Sequence, residues 1–396
     1  MKKYQIFRAM TAVALILAIS ISAGAQTKMP AQKTQELQKI QKDLQVQQAN
    51  VDKDTLVSNI MNLSNVTVTT FAGSGQRGFA NGKGTSAMFN RPKGVAVDAK
   101  GNVYVTEGEV FDSDDDRSHY IRKITPDAVV SSLAGKGPHG FADGAAATAQ
   151  FYSPCGVAVD AKGVAAYIAD RLNYRIRKIT LSSTVTVSTV AGSNYGFQDG
   201  LSQQALFYGP GGIAVDSKGN IYVADESNTI RKITPNGNVS TLVNNPKFSK
   251  QILKQMLKEP KGIAVDDKGN LYVADAGSHS ILKVTSAGKV TTLAGTGSSG
   301  FADGAAASAK FNSPYGVAVD ASGNVYVADT GNHRIRKITT AGQVTTVAGT
   351  GSPGFVNGFG SKAQFNNPFS VAIDVSGNIY VGDSENNCIR KIVESK

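Results

Sequence analysis

Six copies of one unit dominate this chain, and that repetition restricts its possible folds more than any other feature. The phrase Pro314-Tyr315-Gly316-Val317-Ala318-Val319-Asp320 is followed by Gly323-Asn324-Val325-Tyr326-Val327-Ala328-Asp329. Then come Ile335-Arg336-Lys337-Ile338-Thr339 and Val344-Thr345-Thr346-Val347-Ala348-Gly349. The same four phrases recur with small changes. The aspartate ending the first phrase is Asp98, Asp160, Asp216, Asp266, Asp320 and Asp374, at intervals of 62, 56, 50, 54 and 54 residues. Each phrase is short, β-branched or aromatic, and apolar on both faces, as a strand must be when its sheet lies between two others. Asp-x-x-Gly-Asn joins the first two strands as a tight turn, the aspartate accepting backbone N–H groups and the glycine taking positive φ. The 42 glycines against 12 prolines fit a chain built from such turns. Six units of four strands predict an all-β, six-bladed β-propeller of four-stranded antiparallel blades.

The ends of the chain predict how the ring closes. The sixth copy stops at Ile392-Val393-Glu394, after its third strand, while Val66-Thr67-Val68-Thr69-Thr70-Phe71-Ala72-Gly73 matches a fourth strand and precedes the first copy. An N-terminal strand completing the last blade would remove the exposed edge of an open array. The middle residue of each Val-Ala-Val-type phrase is always alanine (Ala96, Ala158, Ala214, Ala264, Ala318, Ala372), as expected where inner strands converge on the axis.

Ahead of the repeats the material changes. Lys2, Lys3 and Arg8, the apolar run Thr11 to Ser22, and Ala23-Gly24-Ala25 read as a signal peptide over residues 1–25, followed by a mature chain exported to the periplasm or cell exterior. The run is short for a bilayer span, and no cysteine follows it to carry a lipid. Residues 26–62 are a Gln/Lys-rich, partly helical spacer, in which Leu37, Ile40, Leu44 and Val51 approach heptad spacing but Gln47 interrupts the seam. The propeller occupies 63–396. Cys155 and Cys388 fall in non-adjacent blades, so no disulfide is expected.

The wording Pro-x-Gly-Val-Ala-Val-Asp, Gly-Asn-x-Tyr-Val-Ala-Asp and Asn-His-Arg-Ile-Arg-Lys-Ile resembles the NHL-repeat family from about residue 66 to residue 396. The resemblance implies the propeller fold. It leaves the activity open, because the family includes binding platforms, extracellular receptor domains and RNA-binding propellers, and related six-bladed propellers include metal-dependent lactonases and an amidating lyase.

Two sets of residues are placed by the repeat on the face carrying the fourth-to-first connections and second-to-third loops, here called the top. The first lies between the proline and glycine that open each inner strand: Lys93, Cys155, Gly211, Lys261, Tyr315 and Phe369. Everything around these positions repeats while they differ in size, charge and aromaticity, as a ligand mouth requires and a scaffold does not. Tyr315 and Phe369 offer stacking surfaces for a sugar or aromatic group, and Lys93 a charge. The second set lies two residues before the third-strand isoleucine: His119, Tyr174, Asn228, His279, His333 and Asn387. We assign the ligand-binding mouth to Lys93, Cys155, Lys261, Tyr315 and Phe369 with His119, Tyr174, His279, His333 and Asn387. No metal or cofactor is assigned, since histidines in blades 1, 4 and 5 meet only near the axis and Asn-His is an ordinary turn phrase.

Other candidates weigh less. The acids ending each second strand, Glu107, Asp170, Asp225, Asp275, Asp329 and Asp383, recur in every copy and are expected to accept N–H bonds from the loop that follows. Asp112-Ser113-Asp114-Asp115-Asp116 lacks the glycine and glutamate of a calcium loop (Arg117 and Lys123 stand there). Lys247 to Glu259 reads as a basic amphipathic lid on the propeller, with a partner-binding or membrane-surface helix as the alternative. The third-strand cations Arg122, Lys123, Arg177, Lys178, Arg231, Lys232, Lys283, Arg336, Lys337, Arg390 and Lys391 are expected to be solvated rim charges. Spread around a disc, they give no nucleic-acid surface, although the net charge is +11. No nucleophile elbow, Walker loop, dinucleotide loop or HExxH stretch occurs. The expected function is an extracytoplasmic scaffold binding a protein, peptide or glycan of the cell envelope through its top face, without catalysis. The alternative is a metal-dependent hydrolase or lyase acting in the central channel.

Overall fold

The computed structural model describes residues 66–108, 119–243 and 257–394. The signal segment, the spacer, the acidic run Asp112–Asp116 and all but the last three residues of the Lys247–Glu259 stretch lie outside the described residues. Among the described residues the strands form six antiparallel sheets. In blade 1 the strands are Pro92–Val97, Val103–Glu107, Tyr120–Ile124 and Val129–Ala134, and this order repeats in each later blade. Blade 6 is assembled from both ends of the repeat region: Pro368–Ile373, Ile379–Asp383 and Cys388–Glu394 are joined by Val66–Ala72. That last pairing is antiparallel, from Val66 opposite Glu394 to Ala72 opposite Ile389, with a register shift after Thr70.

Five sheets have a fifth strand that a four-phrase repeat does not announce. It is two residues long, for example Gly304–Ala305 against the outer strand Gln343–Ala348. Each comes from the Gly-Phe-x-Asp/Asn-Gly phrase in the fourth-to-first connection, which runs outward along the rim of the next blade before returning to the axis. Blade 4, whose preceding connection lacks this phrase, has four strands among the described residues.

The core lies between blades. Ala328 and Ile335 of blade 5 pack with Val371, Val381, Ile392 and Val68 of blade 6, and equivalent clusters fill the other five seams. Every second strand except the one in blade 2 is buried along its whole length, which explains phrases apolar on both faces. Between the first two strands Asp98 accepts the N–H groups of Lys100 (2.9 Å) and Asn102 (2.8 Å), the Asn102 side-chain amide and the Tyr104 hydroxyl. Asp216, Asp266 and Asp374 repeat these bonds.

The third-strand arginines depart from expectation. Arg122, Arg177, Arg231, Arg336 and Arg390 are fully buried. Arg336 shows the pattern: it bonds Asp329 (2.8 Å), the Asp303 carboxylate and the carbonyls of Lys310 and Ala302, with its guanidinium between the rings of Phe301 (4.8 Å) and Phe311 (5.1 Å). The partners come from the second-strand acid and from the Gly-Phe-x-Asp-Gly connection. In blade 4, where that connection is replaced, Leu282 stands in the arginine's place. The second-strand acids also reach a different loop from the one expected. Glu107, Asp170, Asp329 and Asp383 accept N–H groups of Asn90, Tyr152, Asn312 and Asn366, which precede each inner strand. Arginine and acid together pin the fourth-to-first connection and so aim the residues that follow it at the axis.

Candidate functional site

Each inner strand opens with Pro-x-Gly or, in blade 6, Pro-Phe-Ser. At the glycine, neighbouring inner strands touch backbone to backbone. A Cβ on Gly94, Gly156, Gly212, Gly262 or Gly316 would fall within 3.0 Å of the next blade's main chain. In blade 6 the hydroxyl of Ser370 donates to the carbonyl of Lys93 across the closing seam. With the backbones in contact there, the residues between proline and glycine ring a single opening.

Lys93, Cys155, Gly211, Lys261, Tyr315 and Phe369 all line one cavity of about 290 Å³ on the axis. Tyr315 and Phe369 lie 4.1 Å apart between ring centres, inclined by 42°. The Lys261 ammonium sits 5.2 Å from the centre of the Tyr315 ring and 2.8 Å from Glu259. Burial opposes the Lys261 charge, but Tyr315 and Glu259 outweigh it and raise its pKa, so it is a cation at neutral pH. Burial raises the Tyr315 hydroxyl above the ordinary phenol value against the opposing pull of Lys261, which keeps it a donor. Arg171 and Glu226 complete the rim, 2.6 Å apart. Sequence reasoning did not single these two out. The same signal marks them, because they directly follow the second-strand acid, where the other blades carry Gly108, Ala276, Thr330 and Ser384.

The second set is not brought to this cavity. His279, His333 and Asn387 occupy left-handed backbone conformations (φ 49°, 52° and 49°) and cap short 3₁₀ turns, as Tyr174 also does (φ 56°). Nδ1 of His119 accepts the Ser153 N–H (3.2 Å), that of His279 the Ser313 N–H (3.1 Å) and that of His333 the Asn367 N–H (3.1 Å). Asn387 Oδ1 takes the Arg91 N–H (3.0 Å). Each bond crosses to the following blade, so these side chains latch neighbouring blades at the top. Tyr174 instead sets its ring edge-on to Tyr195. Among the described residues no three His, Cys, Asp or Glu side chains converge as metal ligands, and no helix is long and apolar enough to cross a membrane. Cys155 and Cys388 are both free thiols.

Comparison with known proteins agrees with this architecture. Residues match Protein SUPPRESSOR OF QUENCHING 1, chloroplastic, of Arabidopsis thaliana at 32% identity over 288 positions, covering 67% of this chain and 26% of that protein. The chain thus spans about a quarter of that relative. Among solved structures, a Bacteroides thetaiotaomicron protein of unknown function superposes with a TM-score of 0.64 at 21% identity, over 83% of this chain and 76% of the other. An auxiliary nutrient binding protein from Bacteroides ovatus gives 0.63 at 20%, over 83% and 77%. At such identities the fold alone is shared. The NHL repeat model matches residues 207–229, 257–284, 311–338 and 365–392, which run up to the start of a third strand in the first case, through the end of one in the next two and into the third strand of blade 6 in the last. The chain therefore carries NHL repeats, and they build a six-bladed propeller.

Proposed function

We propose that this propeller is an extracytoplasmic binding protein that captures a ligand of the cell envelope in its top-face axial cavity, without chemistry of its own. The observation carrying this reading is that six positions, divergent within an otherwise repeating sequence, meet in one cavity. Their neighbours, the contacting glycines and the pinned connections, perform the same structural task in every blade. The side chains facing the opening differ from blade to blade, and they supply a tilted aromatic pair, a raised-pKa lysine and an arginine–carboxylate pair. Such a mixture of apolar faces and a few directed polar groups is how small-molecule sites orient a ligand. The auxiliary nutrient binding protein shows the same fold in a protein so described, while the assignment here rests on the cavity. Export rests on the basic start, apolar run and Ala-Gly-Ala of residues 1–25.

Native mass spectrometry of the purified protein incubated with envelope extract tests the reading. A small molecule retained by the wild type and lost from both Tyr315→Ala and Lys261→Ala is the expected result. Equal retention by all three proteins would contradict it. Stoichiometric bound metal, together with lactone or ester turnover abolished by substituting its ligands, would replace it with the hydrolase alternative.

A further inference from the structure

A cavity of about 290 Å³ sits at the lower end of small-molecule sites, which begin at roughly 300 Å³. A ligand larger than this cavity would extend onto the adjoining top face. Three positions recur at each seam whose connection carries the Gly-Phe phrase: the latch residue, the residue before that phrase, and the residue two before the inner-strand proline. At the seam of blades 6 and 1 they are Asn387, Arg77 and Asn90. At 4 and 5 they are His279, Ser299 and Asn312, and at 5 and 6 His333, Pro353 and Asn366. At two adjoining seams all three are rings. His119, His139 and Tyr152 meet between blades 1 and 2, with His139 and Tyr152 stacked at 4.5 Å and His119 buried beside them. Tyr174, Tyr195 and Tyr208 meet between blades 2 and 3, at 5.3 and 4.9 Å.

Tyr174 carries a cost in this arrangement. A bulky aromatic at φ 56° is strained. The histidines at equivalent positions return a cross-blade hydrogen bond, whereas Tyr174 turns its ring to Tyr195, which is 62% exposed. Arg171 stands between the two triads. It opens the 3₁₀ turn that Tyr174 caps, and the next residue, Leu172, donates its N–H to the carbonyl of Tyr152. Its ion-pair partner Glu226 bonds through its own N–H to the carbonyl of Gly209, beside Tyr208.

From this placement we propose that the two triads form a platform continuing the axial cavity, and that the ligand is an oligosaccharide. The proposal rests on the cavity reading above and extends it. Sugar rings present apolar C–H faces that stack on aromatic side chains, and hydroxyls that both donate and accept. Arg171 with Glu226, and Lys261 with Glu259, place a donor beside an acceptor at the rim, which suits hydroxyls. The same carboxylates repel a polyphosphate backbone.

Isothermal titration calorimetry of the full chain tests this with methyl glycosides and the matching hexasaccharides, using the neutral maltohexaose, cellohexaose and mannohexaose. At least one series is expected to bind, with its hexasaccharide about tenfold or more tighter than its glycoside. His139→Ala and Tyr195→Ala each lower hexasaccharide affinity roughly three- to tenfold and leave the glycoside unchanged. Tyr315→Ala weakens both, and unchanged thermal unfolding verifies that the variants are folded. A glycoside that binds and responds to Tyr315→Ala, while length adds nothing, would overturn the platform and leave the cavity reading standing. A panel that fails entirely, while a peptide or oligoribonucleotide binds and responds to Tyr195→Ala, would overturn the sugar assignment.

Discussion

The five buried arginines show how a side chain's setting decides its role. On composition each Arg-Lys pair looks like a solvated edge. The lysine stays at the surface, whereas the arginine turns between two phenylalanine rings and spends its donors on an acid and two carbonyls. Such a clamp fixes geometry more than it adds stability. Burial pushes the Glu107 carboxyl up to about 7 and Asp170 up to about 6, against the opposing pulls of Arg122 and Arg177. Blade 4, whose connection lacks the Gly-Phe phrase that supplies the ring and carbonyl partners elsewhere, carries Leu282 at this position. Arg177→Leu, by contrast, leaves Asp170 and Asp143 facing a vacated site. It is expected to cost about 3–5 kcal/mol in urea unfolding, and a loss under 1 kcal/mol would contradict the clamp. The turn aspartates behave oppositely. Burial raises Asp266, but hydrogen bonds from Asn270 and Tyr272 outweigh it and hold its pKa below the ordinary carboxylate value. A depressed folded pKa means a contribution present above the unfolded pKa and lost as pH falls through the folded one. Asp266→Asn is therefore expected to cost about 1 kcal/mol at pH 7. That difference from wild type should shrink below about pH 4, and a pH-independent difference would contradict the assignment.

At the scale of elements, the strand Val66–Ala72 closes the ring. Val68 is fully buried in blade 6 and its neighbour Thr69 lies opposite Lys391. Val68→Ala is expected to lower stability by about 2 kcal/mol. Thr69→Pro, which removes a backbone donor from the same strand, should broaden or split the unfolding transition as blade 6 loosens. Unchanged unfolding of both would mean the closure contributes nothing. This strand was legible because its phrase matches a fourth strand missing from the other end. The two-residue fifth strands were not, since Gly-Phe-Ala-Asp-Gly has no strand periodicity and pairs only because the connection is held along the next blade. The latches escaped notice for a related reason: His and Asn before a strand look alike whether they face a channel or accept a neighbouring blade's N–H.

Over the whole molecule, repetition separates two kinds of residue. Positions that recur from blade to blade mostly hold the ring together, and the divergent residues between proline and glycine gather where the ring opens. Lys93, Cys155, Lys261, Tyr315 and Phe369 could be grouped from the sequence because the repeat sets their phase. Arg171 and Glu226 were missed because they begin a variable loop after a strand rather than open a strand. The chain contains its own reporter for the cavity. Cys155 lines it and is partly exposed, while Cys388 is fully buried in blade 6. The most direct measurement is the rate at which a maleimide labels Cys155, followed by intact mass with and without a ligand whose binding native mass spectrometry has established. One fast and one slow thiol are expected, with the fast one protected by ligand and the protection lost in Tyr315→Ala. A ligand that binds the folded protein while Cys155 is labelled at an unchanged rate would place the site elsewhere and contradict it.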